Sequence, residues 1–306
     1  MTVVPEWTTL VDVDAVVAVL VAAADGQNTE TAIRAVDARA LSSLRLLDAR
    51  AVLGKPEAGE RLYAEGHLPG AVFASLDHDL ADLSITGQGR HPLPDSARFA
   101  ATLGRWGITP ATQVVVYDAG DGSMAAARLW WLLRLIGHTR VAVLDGGVAA
   151  WLAAGQVLVT DTALPAPAGD YPGQFDLRQV VGVEEIAARL KHSPGWLLDA
   201  RAAERFRGEV EPLDPVAGHV PGAVNRPFAL NVRDGRLRDA GELRAELSTL
   251  IAGRSPEEVV VMCGSGVTAC HLLLAMEHAG LSGARVYAGS WSAWVSDPAR
   301  PVATGD

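Results

Sequence analysis

The chain has 306 residues, of which 49% are apolar and 20% charged, and it carries a formal net charge of -10 at neutral pH. That length exceeds what one hydrophobic core ordinarily holds, so two domains are expected. The acidic balance, with no Lys/Arg-rich run, argues against a general nucleic-acid or anionic-membrane surface, so an anionic ligand would need locally placed arginines.

In chain order, the first apolar run is Val13 to Ala24. No Lys or Arg precedes it, Glu6, Asp12 and Asp14 flank it, and it is too short to span a bilayer, so it reads as a buried helix rather than a leader or anchor. The stretch between Asp25 and Leu44 reads as an insertion before the first strand and carries no functional signal. Arg45 to Asp48, Val114 to Tyr117 and Val141 to Leu144 have the length and composition of buried strands, while Ala125 to Ile136 and Ala240 to Ile251 have the helical period. This alternation predicts an α/β fold, a mainly parallel sheet with helices on both faces in each half, with ligands outside the carboxyl ends of the strands.

Comparing the chain with itself adds the domain plan. LLDAR occurs at Leu46 to Arg50 and again at Leu197 to Arg201, and GHLPGAV at Gly66 to Val72 returns as GHVPGAV at Gly218 to Val224. VVVYD, Val114 to Asp118, then pairs with VVVMC, Val259 to Cys263, and Asp145 to Trp151 pairs loosely with Tyr287 to Trp294. Matches kept in one order indicate a duplicated domain. Residues 166–178, rich in Pro and Gly and lacking either period, read as the linker between domains at 1–165 and 179–306.

Cys263 and Cys270 are the two cysteines. They lie on one loop and helix, which is a poor disulfide framework and fits free thiols in a reducing cytoplasm. Most isolated cysteines are inert packing residues. Cys263 has a different context: a strand delivers it, CGSGVT supplies a tight turn, and a helix with apolar Leu272, Leu273 and Met276 starts near Ala269. Gly264 and Gly266 permit positive φ and close backbone approach, so N–H groups and the helix N-terminus can favour a nucleophilic thiolate.

These blocks, LLDAR and GHxPGAV in duplicate, CGSGVTAC and the terminal GSWSAW, resemble the tandem-domain rhodanese family of sulfurtransferases over nearly the whole chain. The uncharged loop is similar to that of 3-mercaptopyruvate sulfurtransferases, whereas thiosulfate-type members carry basic residues after the cysteine. The resemblance implies a persulfide on Cys263 formed from a small-molecule sulfur donor, 3-mercaptopyruvate before thiosulfate, in a site built by Gly264, Ser265, Gly266, Val267 and Thr268. It implies that Arg201 holds the donor carboxylate with Arg205 as a second contact, and that His67 relays a proton with Ser265. The partner carboxylate of His67 stays open among Asp48, Glu57 and Glu60, and His219 in the second copy of the motif points to a structural role for that histidine. Asp118, in the place of Cys263, leaves the first domain non-catalytic, a wall of the cleft. Phosphatase relatives of the fold need Arg where this loop has Ala269.

Cys270 reads as a packed core thiol, and Trp130, Trp131, Trp151, Trp291 and Trp294 as packing residues. Metal-ligand spacings, a Walker loop and a dinucleotide fingerprint are missing, so no cofactor is implied. The expected acceptor is a thiol, cyanide or a thioredoxin-like protein, with no nucleic acid or membrane as partner. Thiosulfate:cyanide transfer as the main activity, and a non-catalytic binding module, are the alternatives.

Overall fold

The computed structural model describes residues 4–23, 41, 43–161 and 165–306, so the insertion expected after Asp25 lies largely outside the described residues. The chain divides into two compact units, Met1–Leu80 with Pro94–Phe175, and Ala81–Leu93 with Asp176–Asp306. The segment Ala81–Leu93 thus departs from the boundary drawn on the sequence. It has no helix or strand of its own. Side-chain bonds hold it instead: Ser292 Oγ accepts from the Arg90 backbone N–H at 3.0 Å, and the His91 ring meets Ser265.

In the first unit, β1 (Leu10–Val11), β2 (Leu44–Asp48), β3 (Ala71–Phe73), β4 (Gln113–Tyr117) and β5 (Val141–Leu144) form a parallel sheet in the order β1-β5-β4-β2-β3. Every residue of β2, β4 and β5 is buried. Strands covered on both faces read as continuous apolar runs rather than alternating ones. The Val13–Ala23 helix buries Val13, Val16, Val19 and Leu20 on one stripe, against a core that includes Leu44, Leu46, Val115 and Trp151. No helix among the described residues is long and apolar enough to cross a membrane.

The second unit contains β6 (Leu197–Asp199), β7 (Val224–Asn225), an antiparallel ribbon of β8 (Val232–Arg233) and β9 (Arg236–Leu237), then β10 (Val260–Met262) and β11 (Arg285–Val286). Its parallel sheet runs β11-β10-β6-β7. Trp196, Trp291 and Trp294 are fully buried with Leu197, Val260 and Met262 in its core. In both units the helix that precedes the cysteine-position strand starts on an aspartate cap: Asp95 accepts from Ala97 and Arg98, and Asp239 from Gly241 and Glu242.

The repeated motifs form one corner twice. Arg50 grips Asp48, with Nη2 at 2.6 Å from Oδ2, and the same nitrogen donates to Gly66 O at 2.6 Å. Arg201 does the same with Asp199 at 2.7 Å and Gly218 O at 2.7 Å. Both ion pairs are buried. The histidines of GHxPGAV serve the same corner: His67 stacks on Tyr63 at 3.9 Å and its Nδ1 bonds Tyr63 O, while His219 stacks on Phe206 at 3.7 Å and its Nδ1 bonds Phe206 O.

Where the first sheet repeats the cysteine position, Asp118 follows β4 and accepts backbone N–H groups from Gly120, Gly122 and Met124. Burial raises its carboxyl from the ordinary 3.8 to about 6, with these N–H groups countering only part of the cost.

Two stability outcomes follow from these features. Removing one partner of a buried pair strands the other charge, so Arg50→Ala and Arg201→Ala should each cost about 3–5 kcal/mol in denaturant unfolding; a loss under about 1 kcal/mol in both would disprove the buried-corner account. The folded Asp118 keeps its proton to about pH 6, whereas the unfolded chain releases it near 3.8. Its contribution is therefore full below about pH 4 and fades as pH rises to 6, by roughly 3 kcal/mol. Relative to wild type, Asp118→Asn should gain stability between pH 4.5 and 6.5; a pH-independent difference would refute the shifted carboxyl.

Candidate active site

Strand β10 ends at Met262 and delivers Cys263 at its carboxyl end, 2% exposed. The turn that follows depends on Gly266. Its φ is +79°, and a Cβ there would lie 2.3 Å from Ala288 O, so a side chain is excluded both by conformation and by space. This approach brings the Gly266 N–H to Cys263 Sγ at 3.2 Å. Gly264 is not in the positive-φ region expected of it. Its place is small for another reason: a Cβ would stand 3.0 Å from Arg90 Nη2 and 3.5 Å from both Nη1 and Nη2 of Arg205.

The rest of the loop is clasped from one side. Cys263 O and Gly264 O accept from the backbone N–H groups of Trp291 and Ser292, and Ser290 Oγ accepts from Cys263 N at 3.0 Å. Val267 caps the Thr268–His278 helix, whose buried Leu272, Leu273 and Met276 anchor it in the core. Its N-terminus therefore faces the cysteine turn, with the positive end of the helix dipole beside the sulfur. Cys270, fully buried, donates its S–H to Gly266 O at 3.2 Å, which ties the helix to the turn.

Ser265 Oγ stands 2.8 Å from Nδ1 of His91. Both are buried. The histidine expected beside Ser265 was His67; within its own unit its Nδ1 bonds Tyr63 O and its ring stacks on Tyr63, while its buried Nε2 has no hydrogen-bond partner among the described residues. Of its candidate carboxylates, Asp48 is held by Arg50 and by Tyr117 Oη, and Glu57 and Glu60 are exposed. His91 sits 174 residues before Ser265 in the sequence, in a stretch without periodicity. A signal was present nonetheless: GQGRHPLP, Gly87 to Pro94, is a Gly/Pro-rich loop holding an arginine and a histidine, whereas the stretch before Asp239 in the second repeat, Asn231 to Arg238, has arginines but no histidine.

The arginines also divide their roles. Arg201 has a 1% exposed side chain, forked onto Asp199, bonded to Gly218 O, 3.5 Å from Glu211 and stacked on Trp291 at 4.6 Å. With its donors aimed at internal acceptors it is a buried structural ion pair, like Arg50, and the expected carboxylate contact is withdrawn for it. Arg205 is more open, at 16% exposed, and reaches Glu211 at 2.6 Å and Asp214 at 3.3 Å while flanking Gly264. Arg90 pairs with Asp214 from the Ala81–Leu93 segment. Burial pushes Glu211 up, but Arg205 and the N–H groups of Leu213 and Asp214 outweigh it and hold the carboxyl low. For Asp214 burial prevails over Arg90 and Arg205, and its carboxyl is raised.

Comparison with known proteins places this geometry in a family. The family model for the rhodanese-like domain matches residues 30–154 and 183–297. The chain is 50% identical over 266 residues to a probable 3-mercaptopyruvate sulfurtransferase of Pseudomonas aeruginosa, covering 86% of this chain and 93% of that protein. It is 42% identical over 261 residues to a putative thiosulfate sulfurtransferase of Mycobacterium tuberculosis, covering 85% of this chain and 90% of that one. Among solved structures, the 3-mercaptopyruvate sulfurtransferase from Leishmania major superposes with a TM-score of 0.76 at 31% identity, covering 93% of this chain and 73% of that one. With the rhodanese-like domain matched twice and relatives at 50% and 42% identity over most of the chain, the chain belongs to the rhodanese family, as a tandem-domain sulfurtransferase.

Proposed function

We propose that this sulfurtransferase takes a sulfur atom from 3-mercaptopyruvate onto Cys263 and passes it to a thiol or to cyanide. The observation that carries the reading is the uncharged loop around Cys263 with Ser265 hydrogen-bonded to His91. The Cys263 thiolate attacks the donor sulfur, the donor C–S bond breaks, and its electron pair leaves as the enolate of pyruvate. The proton that was on the donor thiol ends on that carbon, so the products are pyruvate and a deprotonated persulfide on Cys263. Ser265 and His91 are placed to carry a proton at the donor's carbonyl oxygen while charge develops there. The acceptor then attacks the outer sulfur, and the S–S electron pair returns to Cys263.

Arg205 beside Gly264 offers a planar fork for the donor carboxylate. The N–H of Gly266 at the sulfur would stabilise both thiolate and persulfide. The similarity to a putative thiosulfate sulfurtransferase supports thiosulfate as a secondary donor. Both cysteines are free thiols, which fits a reducing, cytoplasmic setting, and a thioredoxin-like protein is among the acceptors that setting supplies.

Incubation with 3-mercaptopyruvate should add one sulfur atom at Cys263, and Cys263→Ser should abolish the adduct and turnover together. An adduct on Cys270, or none, would overturn the persulfide route. Wild type should show higher kcat/KM with 3-mercaptopyruvate than with thiosulfate; the reverse order would contradict the donor assignment. Ser265→Ala and His91→Asn should each lower kcat on the order of a hundredfold, while His67→Asn should act through stability with kcat near wild type. Loss of kcat in His67→Asn with His91→Asn unaffected would reverse the assignment.

A further inference from the structure

The loop residues Gly264, Ser265, Gly266, Val267 and Thr268 carry no charge, so the cations that meet an anionic donor come from elsewhere in the second unit. Two guanidinium groups converge on Gly264. Arg205 arrives from its own repeat and Arg90 from the Ala81–Leu93 segment, with Arg90 Nη2 nearer to the Gly264 Cβ position, at 3.0 Å, than the Arg205 nitrogens at 3.5 Å.

The two arginines share Asp214 but are otherwise held differently. Arg205 is held mainly by Glu211, at 2.6 Å and 3.2 Å from two of its nitrogens. Arg90 is paired with Asp214 through Nη1, and its buried Nε has no hydrogen-bond partner among the described residues. Asp214 has a 3% exposed side chain and Arg90 28%. A buried carboxylate thus occupies one edge of an arginine whose Nη2 lies against the loop. The local charges balance: Arg90, Arg201 and Arg205 against Asp199, Glu211 and Asp214. An incoming anion therefore meets no surplus of positive charge and has to compete with Asp214 for Arg90.

We infer that Arg90 is the second contact for the donor's anionic group, and that Asp214 holds it as an internal competitor whose grip sets the balance between monoanionic donors such as 3-mercaptopyruvate and dianionic donors such as thiosulfate. This assignment rests on the sulfurtransferase reading of Cys263 but concerns a different residue pair. The physical reason is asymmetric: a dianion gains more from each guanidinium it reaches than a monoanion does, so loss of Arg90 penalises it more, and release of Arg90 from Asp214 favours it more.

Two measurements on the full chain test this in the wild type, Arg90→Gln, Arg90→Lys, Asp214→Asn and the double variant Arg90→Gln/Asp214→Asn. Steady-state kinetics with each donor should show the thiosulfate to 3-mercaptopyruvate ratio of kcat/KM falling about tenfold in Arg90→Gln and rising several-fold in Asp214→Asn, with Arg90→Lys between wild type and Arg90→Gln. Alkylation of Cys263, followed by peptide mass, should show the rate ratio of anionic iodoacetate to neutral iodoacetamide moving the same way. The double variant leaves no stranded charge, so it separates a charge effect from a folding defect: its ratios should match those of Arg90→Gln. Unchanged ratios in Arg90→Gln, Asp214→Asn and the double variant would overturn the assignment. If no donor leaves sulfur on Cys263, the proposed function fails, while the alkylation ratio still decides the role of Arg90.

Discussion

The ion pair of Asp199 and Arg201 is the joint on which the second unit turns. One guanidinium ties the end of β6 to Gly218 O, stacks on Trp291 and reaches Glu211. Trp291 donates its backbone N–H to Cys263 O, and Glu211 in turn fixes Arg205. A buried charge is tolerated only when its donors find acceptors, and here each acceptor belongs to a different piece of the site. The same joint is built in the first unit by Asp48 and Arg50, where Tyr117 Oη also reaches Asp48 at 2.9 Å. The corner is thus part of the fold, built in both units, while a cysteine follows it in one copy only.

What separates the copies is the group placed at the end of the strand that follows. Asp118 and Cys263 occupy matching turns, and both receive backbone N–H groups from glycines of the turn. Donors that converge on one point suit any anion, so the turn survives replacement of the thiol. In the first unit three backbone N–H groups converge on the Asp118 carboxyl, where a thiol would otherwise stand. In the second unit the Cys263 sulfur stands in the same position and accepts the Gly266 N–H.

The segment Ala81–Leu93 shows how a site can be completed by chain that is far away in sequence. Its backbone makes no sheet and no helix, yet Gly89 passes so close to Gly289 that a Cβ would lie 2.5 Å from the Gly289 carbonyl oxygen. That approach delivers Arg90 to the loop and His91 to Ser265. The cysteine turn supplies the sulfur and its backbone donor, and this segment adds a histidine on Ser265 and a guanidinium beside Gly264.

The sequence by itself determined whatever repeats or has a period. LLDAR and GHxPGAV in two copies revealed the duplication, buried strands read as apolar runs, and the strand, glycine and helix pattern around Cys263 marked it as the candidate nucleophile, because each is a local consequence of backbone geometry. Side-chain partnership is not local. That Arg201 is consumed by Asp199 and Gly218 while Arg205 and Arg90 face the loop, and that Ser265 meets His91, depends on where β6, β10 and an aperiodic segment come together in space. An arginine in LLDAR and a histidine in GHxPGAV look equally suited to catalysis and to a structural corner; only the distance to an acceptor, set by tertiary packing, decides between them.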